Sequence, residues 1–368
     1  MNHWHESAEI FSRLAALTAA GRRAALATVV HIVGSAYRRP GAKFLIEETG
    51  DTLGSVSGGC LEADVREVAG AMIAGGATGE PSLRHYSTGS DGDVVWGLGL
   101  GCNGMVDVFV QPATTGPLAE LADRVRQLLA GDSPFALVTV IEGDGLGAAL
   151  LVEPEGGVQG SLGGAELDRL AAERARGLLP GGRSGVQTIA GRGVFFEVLP
   201  PPPHLIVCGA GDDARPLVAY AADAGFRVTV VDHRPALLEP VWFPQAAHLL
   251  LARPGDEGIA LPPAGRSLAV VKSHSLAHDR EWVRRLLAAG LPYVGVLGPR
   301  DRTATILRDI GASPADTERV FGPVGLDLGA DGPRQVALSI VAELLAFAAF
   351  AGQREPRHLS QRQEAIHA

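Results

Sequence analysis

Three glycine-rich segments in the first half of the chain carry the residues with the most distinctive chemistry. They are GSAYRRPGAKF (34–44), GSVSGGCLEADV (54–65) and GLGLGCNG (97–104). Consecutive glycines leave backbone N–H groups accessible, and such groups can bind an anion together. Two of the three cysteines lie in these segments. The segments therefore combine anion-binding backbone with thiols that can react or ligate a soft metal.

Cys60 stands directly between Ser57-Gly58-Gly59 and a stretch with the apolar spacing of an amphipathic helix. We expect Cys60 in the first turn of that helix, where the positive end of the helix dipole favours the thiolate. The N–H groups of Ser57, Gly58 and Gly59 would then face the same ligand. The alternative is that Cys60 is a small packing residue beside a close backbone contact.

The other two segments supply further candidate contacts to an anionic ligand. Arg38 and Arg39 precede Pro-Gly in the first segment, and a guanidinium can bind phosphate through two parallel hydrogen bonds. Cys102 and Gly101 lie in the third segment. An anionic ligand that carries sulfur would account for all three segments, provided that the loops converge. A solvated arginine pair and a tightly packed Cys102 remain the alternatives.

Length and composition limit the class of protein. With 368 residues, 46% hydrophobic and 20% charged, the chain can form two globular domains. A net charge of −9 argues against general nucleic-acid binding, and three cysteines do not make a disulfide framework. The apolar run 336–350 is shorter or more polar than a bilayer span requires, and the N-terminus lacks a signal-peptide pattern. We expect a cytoplasmic protein that binds neither membrane nor nucleic acid.

Four successive prolines, 200–203, divide the chain. Before them, helical and strand patterns alternate irregularly, which predicts an α+β domain over 1–199. After them, strands and helices alternate regularly, which predicts a Rossmann-like, doubly wound parallel-sheet domain over 204–352. The fold class is therefore α/β, with a polar tail over 353–368. We find no internal repeat in the sequence.

The C-terminal domain opens with a possible nucleotide-binding turn. GAGDDA, with Gly209 and Gly211, follows an apolar strand, and Asp232 ends the next strand. This spacing is typical of dinucleotide sites, in which glycines admit a pyrophosphate and the carboxylate binds ribose. Asp212 and Asp213 would, however, repel a phosphate there. NAD(P) binding and a Rossmann fold that holds another ligand or none both remain open.

A second feature of the C-terminal domain is KSHSLAHD, 272–279. It follows a predicted strand, so His274 and Asp279 are expected to form a polar pair at the carboxyl edge of the sheet, where ligands bind in open α/β folds. The alternative is that His274 caps the following helix.

These segments together resemble the xanthine dehydrogenase accessory factors, the XdhC/CoxI family, over nearly the whole chain. GSAYRRPGAKFLI, GSVSGGCLEADV and GLGLGCNGMVDVFVQP are similar to three motifs of the family's first half. In the second half, the Rossmann turn, KSHSLAHD, YVGVLGPRDRTATIL and GPVGLDLGADGPRQVALSIVAELLA follow in the family's order. Two departures stand out. Ala36-Tyr37-Arg38 replaces Ser-Pro-Arg, and Ser273 to Leu276 replaces Thr-His-Asp-His, which weakens any two-histidine metal site.

The resemblance implies a maturation factor rather than an enzyme with its own turnover. Such a factor binds the molybdenum cofactor, molybdopterin, and delivers it to the apo-form of a molybdenum hydroxylase. A cysteine desulfurase is a further expected partner, and self-association, as a homodimer, also comes with the family. Cys60 is the first choice for a contact to the cofactor and Cys102 the second. An NAD(P)-dependent oxidoreductase and a purely structural scaffold are the alternatives.

Overall fold

The computed structural model describes residues 2–34, 36–76, 79–87 and 104–350. Their internal contacts divide the chain at the proline run, into an N-terminal unit of residues 2–201 and a C-terminal unit that begins at Pro202. The N-terminal unit is built from two five-stranded antiparallel sheets and four α-helices among its described residues.

The elements of the N-terminal unit fall into two sets of seven. The first is α1 (Asn2–Ala19), β1 (Ala24–Gly34), β2 (Lys43–Glu47), β3 (Thr52–Gly54), α2 (Glu62–Ala74), β4 (Ser82–Ser87) and β5 (Gly104–Pro112). The second is α3 (Gly116–Leu129), β6 (Phe135–Glu142), β7 (Ala149–Val152), β8 (Val158–Ser161), α4 (Ala165–Leu178), β9 (Gly185–Ile189) and β10 (Arg192–Leu199).

The two sets repeat one fold, although no internal repeat was found in the sequence. The first sheet has the order β3-β2-β1-β5-β4 and the second the order β8-β7-β6-β10-β9, so each strand has a counterpart in the same place. Even an irregularity recurs. The register of β1 against β5 shifts between Val29 and His31, and that of β6 against β10 shifts between Val140 and Glu142. The N-terminal unit is therefore a structural duplication.

The duplication is still visible in one stretch of sequence. Residues 41–62 align without a gap on residues 147–168. Gly54 and its counterpart Gly160 both have positive φ, and a Cβ on either would collide with a carbonyl oxygen of the neighbouring strand. The ion pair of Arg13 with Glu47 recurs between the helix and strand of the second repeat as the pair of Arg124 with Glu153.

Equivalent residues of the two repeats also meet in the core. Val30 and Ile141, which lie at the two register shifts, are buried against Phe109 and Phe195, which lie on the paired strands. A larger core forms between α1, α3 and the adjoining sheet faces, and there the Trp4 and Phe135 rings pack edge to face. The shared cores make the two repeats one unit.

The C-terminal unit has a parallel six-stranded sheet in the order β13-β12-β11-β14-β15-β16. Its elements are β11 (His204–Cys208), α5 (Ala214–Asp223), β12 (Arg227–Asp232), β13 (His248–Leu251), β14 (Ser267–Val271), α6 (Leu276–Ala288), β15 (Tyr293–Val296), α7 (Arg300–Ile310), α8 (Pro314–Thr317), β16 (Val320–Phe321) and α9 (Gly332–Phe350). In order of appearance this is 3-2-1-4-5-6, the order of dinucleotide-binding Rossmann folds. The predicted fold class is confirmed.

Helices cover both faces of this sheet, with α5 and α9 on one face and α6 and α7 on the other. The central strands β11 and β14 are consequently buried throughout, which explains their continuous apolar sequence. Among the described helices, α9 alone is long and apolar enough to cross a membrane by length and composition. Ala337, Ile340, Val341 and Leu344 of α9 are buried in the core of the unit.

Candidate functional site

Ser57 organises the turn that carries Cys60. Its hydroxyl oxygen accepts hydrogen bonds from the N–H groups of Gly59 (3.1 Å), Cys60 (2.9 Å) and Leu61 (3.0 Å). The same hydroxyl donates to the Glu62 carboxylate, which also accepts the N–H of Ser57 at 2.8 Å. Burial alone would raise the pKa of Glu62, but these hydrogen bonds outweigh it and lower the pKa. The turn is thus held by a charged acceptor.

This network changes the position expected for Cys60. Helix α2 begins at Glu62, so Cys60 lies two residues before the helix rather than in its first turn. The backbone before Glu62 is not helical, because Gly59 has a φ of +112°. In the second repeat, Gly163 stands at the position of Ser57, and α4 already begins at Ala165, the counterpart of Gly59. The Cys60 residue is partly exposed on this turn.

The turn is not the row of free N–H groups that its glycines predicted. The amides of Ser57 and Gly59 are already hydrogen-bonded within the turn. Among the residues that the structure describes, however, none comes within 4 Å of a Cβ added at Gly59. At Gly58 an added Cβ would contact only the Tyr37 ring, at 3.7 Å. Ser57, Gly58 and Gly59 remain predictions as direct contacts to a cofactor.

The first glycine-rich segment presents its two arginines differently. Arg38 forms an ion pair with Glu6 of α1, and its side chain is 20% exposed. Arg39 is exposed. A phosphate that used Arg38 would have to share it with Glu6, which the sequence alone did not indicate. Cys102 and Gly101 lie outside the described residues.

The strands near the third glycine-rich segment bring together three side chains that the sequence did not predict to meet. His31, Asp107 and His85 are direct cross-strand neighbours on β1, β5 and β4. The Asp107 carboxylate contacts Nδ1 of His85 at 2.8 Å and Nδ1 of His31 at 3.2 Å. His31 is not a core histidine, because its side chain is 49% exposed. A register prediction for β4 and β5 would have been needed to find this cluster.

In the C-terminal unit the glycine turn packs against the end of β14. Gly209 has a φ of +125°, and a Cβ there would lie 2.5 Å from the carbonyl oxygen of Lys272. A Cβ on Gly211 would lie 2.9 Å from Oδ1 of Asp213 and 3.6 Å from Nε2 of His274. Gly209 is therefore required by the neighbouring backbone, whereas the atom nearest to Gly211 is the end of a side chain that can move.

Those neighbours form an ionic cluster. Lys272 is buried, and its Nζ lies 2.7 Å from Oδ1 of Asp213, while Nε2 of His274 lies 3.4 Å from the same carboxylate. Burial lowers the pKa of Lys272, and the Asp213 carboxylate counteracts part of that change. Burial would raise the pKa of Asp213, but the Lys272 ammonium and the His274 ring lower it overall. His274 adopts a left-handed backbone conformation, with φ at 60°.

Asp232 is also engaged by the protein itself. Its carboxylate accepts the N–H of Ala210 at 2.8 Å and two guanidinium hydrogen bonds from Arg234 at 2.9 and 2.8 Å. Burial would raise the pKa of Asp232, but these contacts hold it at about 2. The carboxylate proposed to bind ribose is thus an internal link between the glycine turn and Arg234.

The expected pair of His274 with Asp279 does not form. Asp279 is buried and accepts hydrogen bonds from the Ser273 N–H at 3.0 Å and from Arg302 at 2.6 Å. His274 instead faces Asp213. It does not cap α6 either, because Ser275 is the N-cap residue and accepts the N–H of His278. Within the part of the chain that the structure describes, no group of three or more His, Cys, Asp or Glu side chains could hold a metal ion.

These features define a class of two-unit protein, with a duplicated antiparallel unit that carries an exposed cysteine turn and a Rossmann unit whose ionic groups pair internally. The family profile of the XdhC Rossmann domain matches residues 205–344. The profile of the XdhC and CoxI family matches residues 17–87 and 128–190, which cover equivalent elements of the two repeats. The chain belongs to the XdhC and CoxI family.

Individual relatives agree with this assignment. The chain is 34% identical over 322 residues to a probable xanthine dehydrogenase subunit of Bacillus subtilis, and the match covers 88% of this chain and 92% of the relative. It is 27% identical over 235 residues to the uncharacterized protein YqeB of Escherichia coli, covering 58% of this chain and 43% of that protein. A crystal structure named as a xanthine dehydrogenase from Bacillus halodurans has 26% identity and a TM-score of 0.77, covering 97% of this chain and 98% of that one.

Proposed function

We propose that this protein is an accessory factor that holds the molybdenum cofactor and delivers it to a molybdenum hydroxylase of the xanthine dehydrogenase or CO dehydrogenase type. Family membership and the name of the Bacillus subtilis relative support an accessory role alongside a xanthine dehydrogenase. In this role the protein binds and releases its cargo and has no turnover of its own. The apo-hydroxylase, a cysteine desulfurase and a second copy of the chain are the partners that this function calls for, in the cytoplasm.

The turn that carries Cys60 is the observation on which the proposal rests. Ser57 and Glu62 hold the backbone around Cys60 by hydrogen bonds, so the thiol is presented from a defined conformation and not from a free loop. The Cys60 residue is partly exposed, and no described residue lies within 4 Å of a Cβ placed on Gly59. A partly exposed thiol on a fixed turn suits a ligand that brings its own sulfur and a soft metal.

The residues present fit the sulfur-bearing end of molybdopterin better than its phosphate. Molybdopterin supplies a metal bound by a dithiolene, together with a phosphate group. Cys60 would lie against the dithiolene end. For the phosphate, Arg39 is exposed, whereas Arg38 would keep its ion pair with Glu6 and orient the loop.

The alternative NAD(P)-dependent oxidoreductase receives less support from the geometry. The carboxylate that would bind ribose, Asp232, accepts hydrogen bonds from Ala210 and Arg234. The position of a pyrophosphate is taken by Asp213, which is paired with Lys272. A dinucleotide would have to displace both internal contacts.

The proposal is tested by purifying the full chain from a molybdenum-replete host and measuring released pterin by fluorescence after oxidation. We expect pterin with the wild-type protein and at least tenfold less with Cys60→Ala. The matched control is Ser161→Ala, which removes a hydroxyl that bonds to Asp168 and Gly163 in the cysteine-free turn of the second repeat. It should retain pterin. Pterin absent from the wild type, or equal in wild type and Cys60→Ala, would contradict the proposal.

A further inference from the structure

We propose that Asp213 determines the ligand class of the Rossmann unit, by placing a resident carboxylate where the fold would otherwise bind a phosphate. The crevice at the carboxyl end of the sheet would then reject dinucleotides and take a ligand whose contacting group carries no negative charge. This inference concerns the C-terminal unit and does not depend on cofactor binding by the N-terminal unit.

The strand order identifies the crevice. The order of the sheet reverses between β11 and β14, and open α/β sheets bind their ligands at such a switch point. The loops that follow these two strands carry Asp213 and Lys272 respectively. A phosphate in a Rossmann unit lies at the N-terminus of the first helix, where backbone N–H groups are free. Here α5 begins at Ala214, so Asp213 is the residue immediately before the helix.

The carboxylate of Asp213 folds back over the glycine turn. Its Oδ1 would be 2.9 Å from a Cβ on Gly211, so it lies above the glycine whose missing side chain lets a pyrophosphate approach in dinucleotide sites. A phosphate in this position would meet a carboxylate at contact distance, and two like charges at that distance repel each other.

The charge of Asp213 is held in place by a buried partner. The side chain of Lys272 is 2% exposed, and its ammonium lies 2.7 Å from the Asp213 carboxylate. A buried ammonium that loses its counter-ion is strongly destabilised, so Lys272 opposes any movement of Asp213 out of the crevice. His274 contacts the same carboxylate from the exposed side, at 3.4 Å. The carboxylate is therefore fixed from two directions.

The neighbouring charges are paired in the same manner. Asp212 lies 2.7 Å from Arg215, and Asp232 lies 2.8 Å from Arg234. In a dinucleotide site these positions would contribute free N–H groups and a free carboxylate. Here each carboxylate around the turn has a cation of its own, so the local charge is balanced before any ligand binds.

The test measures binding of NAD⁺, AMP and inorganic phosphate to the full chain by titration calorimetry. We expect no saturable binding by the wild type at millimolar ligand. Asp213→Ala frees the Lys272 ammonium and the start of α5, so it should bind AMP and phosphate at least tenfold more tightly than the wild type. Adding Lys272→Met to Asp213→Ala should abolish that gain.

Asp212→Ala is the matched control, because it removes an adjacent carboxylate whose side chain is 88% exposed. If the gain came only from lower net charge, this variant would show it as well. Asp213→Asn preserves the shape of the side chain and provides the same measurement if Asp213→Ala does not fold. Three results would each overturn the proposal. The first is NAD⁺ binding by the wild type that is lost in Asp232→Asn, and the second is no gain in AMP or phosphate affinity in either Asp213 variant. The third is an equal gain in affinity in Asp212→Ala. Pterin retention is measured separately, so failure here leaves the proposed function standing.

Discussion

A buried ion pair between the two repeats of the N-terminal unit permits an unusually controlled stability experiment. Lys43 on β2 pairs with Glu197 on β10, and the two side chains are 1% and 5% exposed. The strand registers show that the second repeat carries Ala149 in place of Lys43, and that the first repeat carries Gln111 in place of Glu197. The same pair of positions is thus charged in one place and neutral in the other.

Breaking the charged version should be costly. Lys43→Met keeps most of the side-chain volume but leaves the Glu197 carboxylate buried without its ammonium, and removal of one partner of a buried pair costs about 3–5 kcal/mol. Glu197→Gln alone leaves the Lys43 ammonium buried without its carboxylate and should lower the free energy of unfolding by a similar amount. In the double variant both charges are absent, as at Ala149 and Gln111, and stability should return to within about 1 kcal/mol of the wild type.

Differential scanning calorimetry of the full chain provides the measurement, because the N-terminal unit has its own core and its own transition can be followed. For a unit of roughly 200 residues, about 3–5 kcal/mol corresponds to a fall in Tm of roughly 10 °C. Each single variant should show that fall, and the double variant should recover most of it. Single variants that melt within about 2 °C of the wild type, or a double variant no more stable than either single, would refute the reasoning.

Two further predictions address the turns of each unit. Gly54→Ala should destabilise the protein by about 2 kcal/mol or more in thermal melts, because φ is +82° and the new Cβ would collide with the carbonyl oxygen of Lys43. The control is Gly70→Ala, on the exposed face of α2, which should stabilise the protein by about 0.5–1 kcal/mol. Asp232, whose pKa is about 2 beside Arg234, contributes stability that is present above about pH 4 and is lost as the pH falls towards 2. The wild type should therefore be more stable than Asp232→Asn by about 2 kcal/mol at pH 7 and should progressively lose this difference in melts at pH 4 and 3. If the stability difference between the two proteins were the same at all three pH values, the low pKa of Asp232 would be contradicted.

The sequence was sufficient for the fold class because its strongest patterns are local. The buried strands of the C-terminal sheet have short apolar sequences, and segments with helical periodicity lie between them. The proline run lies where the contacts divide the chain into two units. The duplication of the N-terminal unit was missed for an equally physical reason. Residues 88–103 stand between β4 and β5, whereas only Ala190 and Gly191 stand between β9 and β10, so the two copies differ most in the spacing of these strands along the chain. Their likeness lies mainly in strand order and register, and the sequence retains it only in the short alignment of residues 41–62 with residues 147–168.

The candidate site shows the same limit at the level of single side chains. The position of Cys60 beside a glycine turn followed from the sequence, and so did that of the Gly209 turn between a strand and a helix. Partners from distant parts of the chain did not follow. Glu6 binds Arg38 across 32 positions, and Lys272 meets Asp213 only because β11 and β14 are neighbours in the sheet. These contacts decide which charges are available to a ligand, and they depend on tertiary structure.

The duplication separates the residues that the cysteine turn needs for its shape from those that the first repeat has added. Gly54 recurs as Gly160, and the carboxylate of Glu62 that binds the N–H of Val56 recurs as Asp168, which binds the N–H of Leu162. These residues serve the fold of both turns. Cys60 has no such counterpart, because Glu166 stands in its place, whereas the hydroxyl that bonds within the turn comes from Ser57 in the first repeat and from Ser161 in the second. Since the second repeat folds without a cysteine, the fold of the turn does not require the thiol, and this is why Cys60 is the first residue to test.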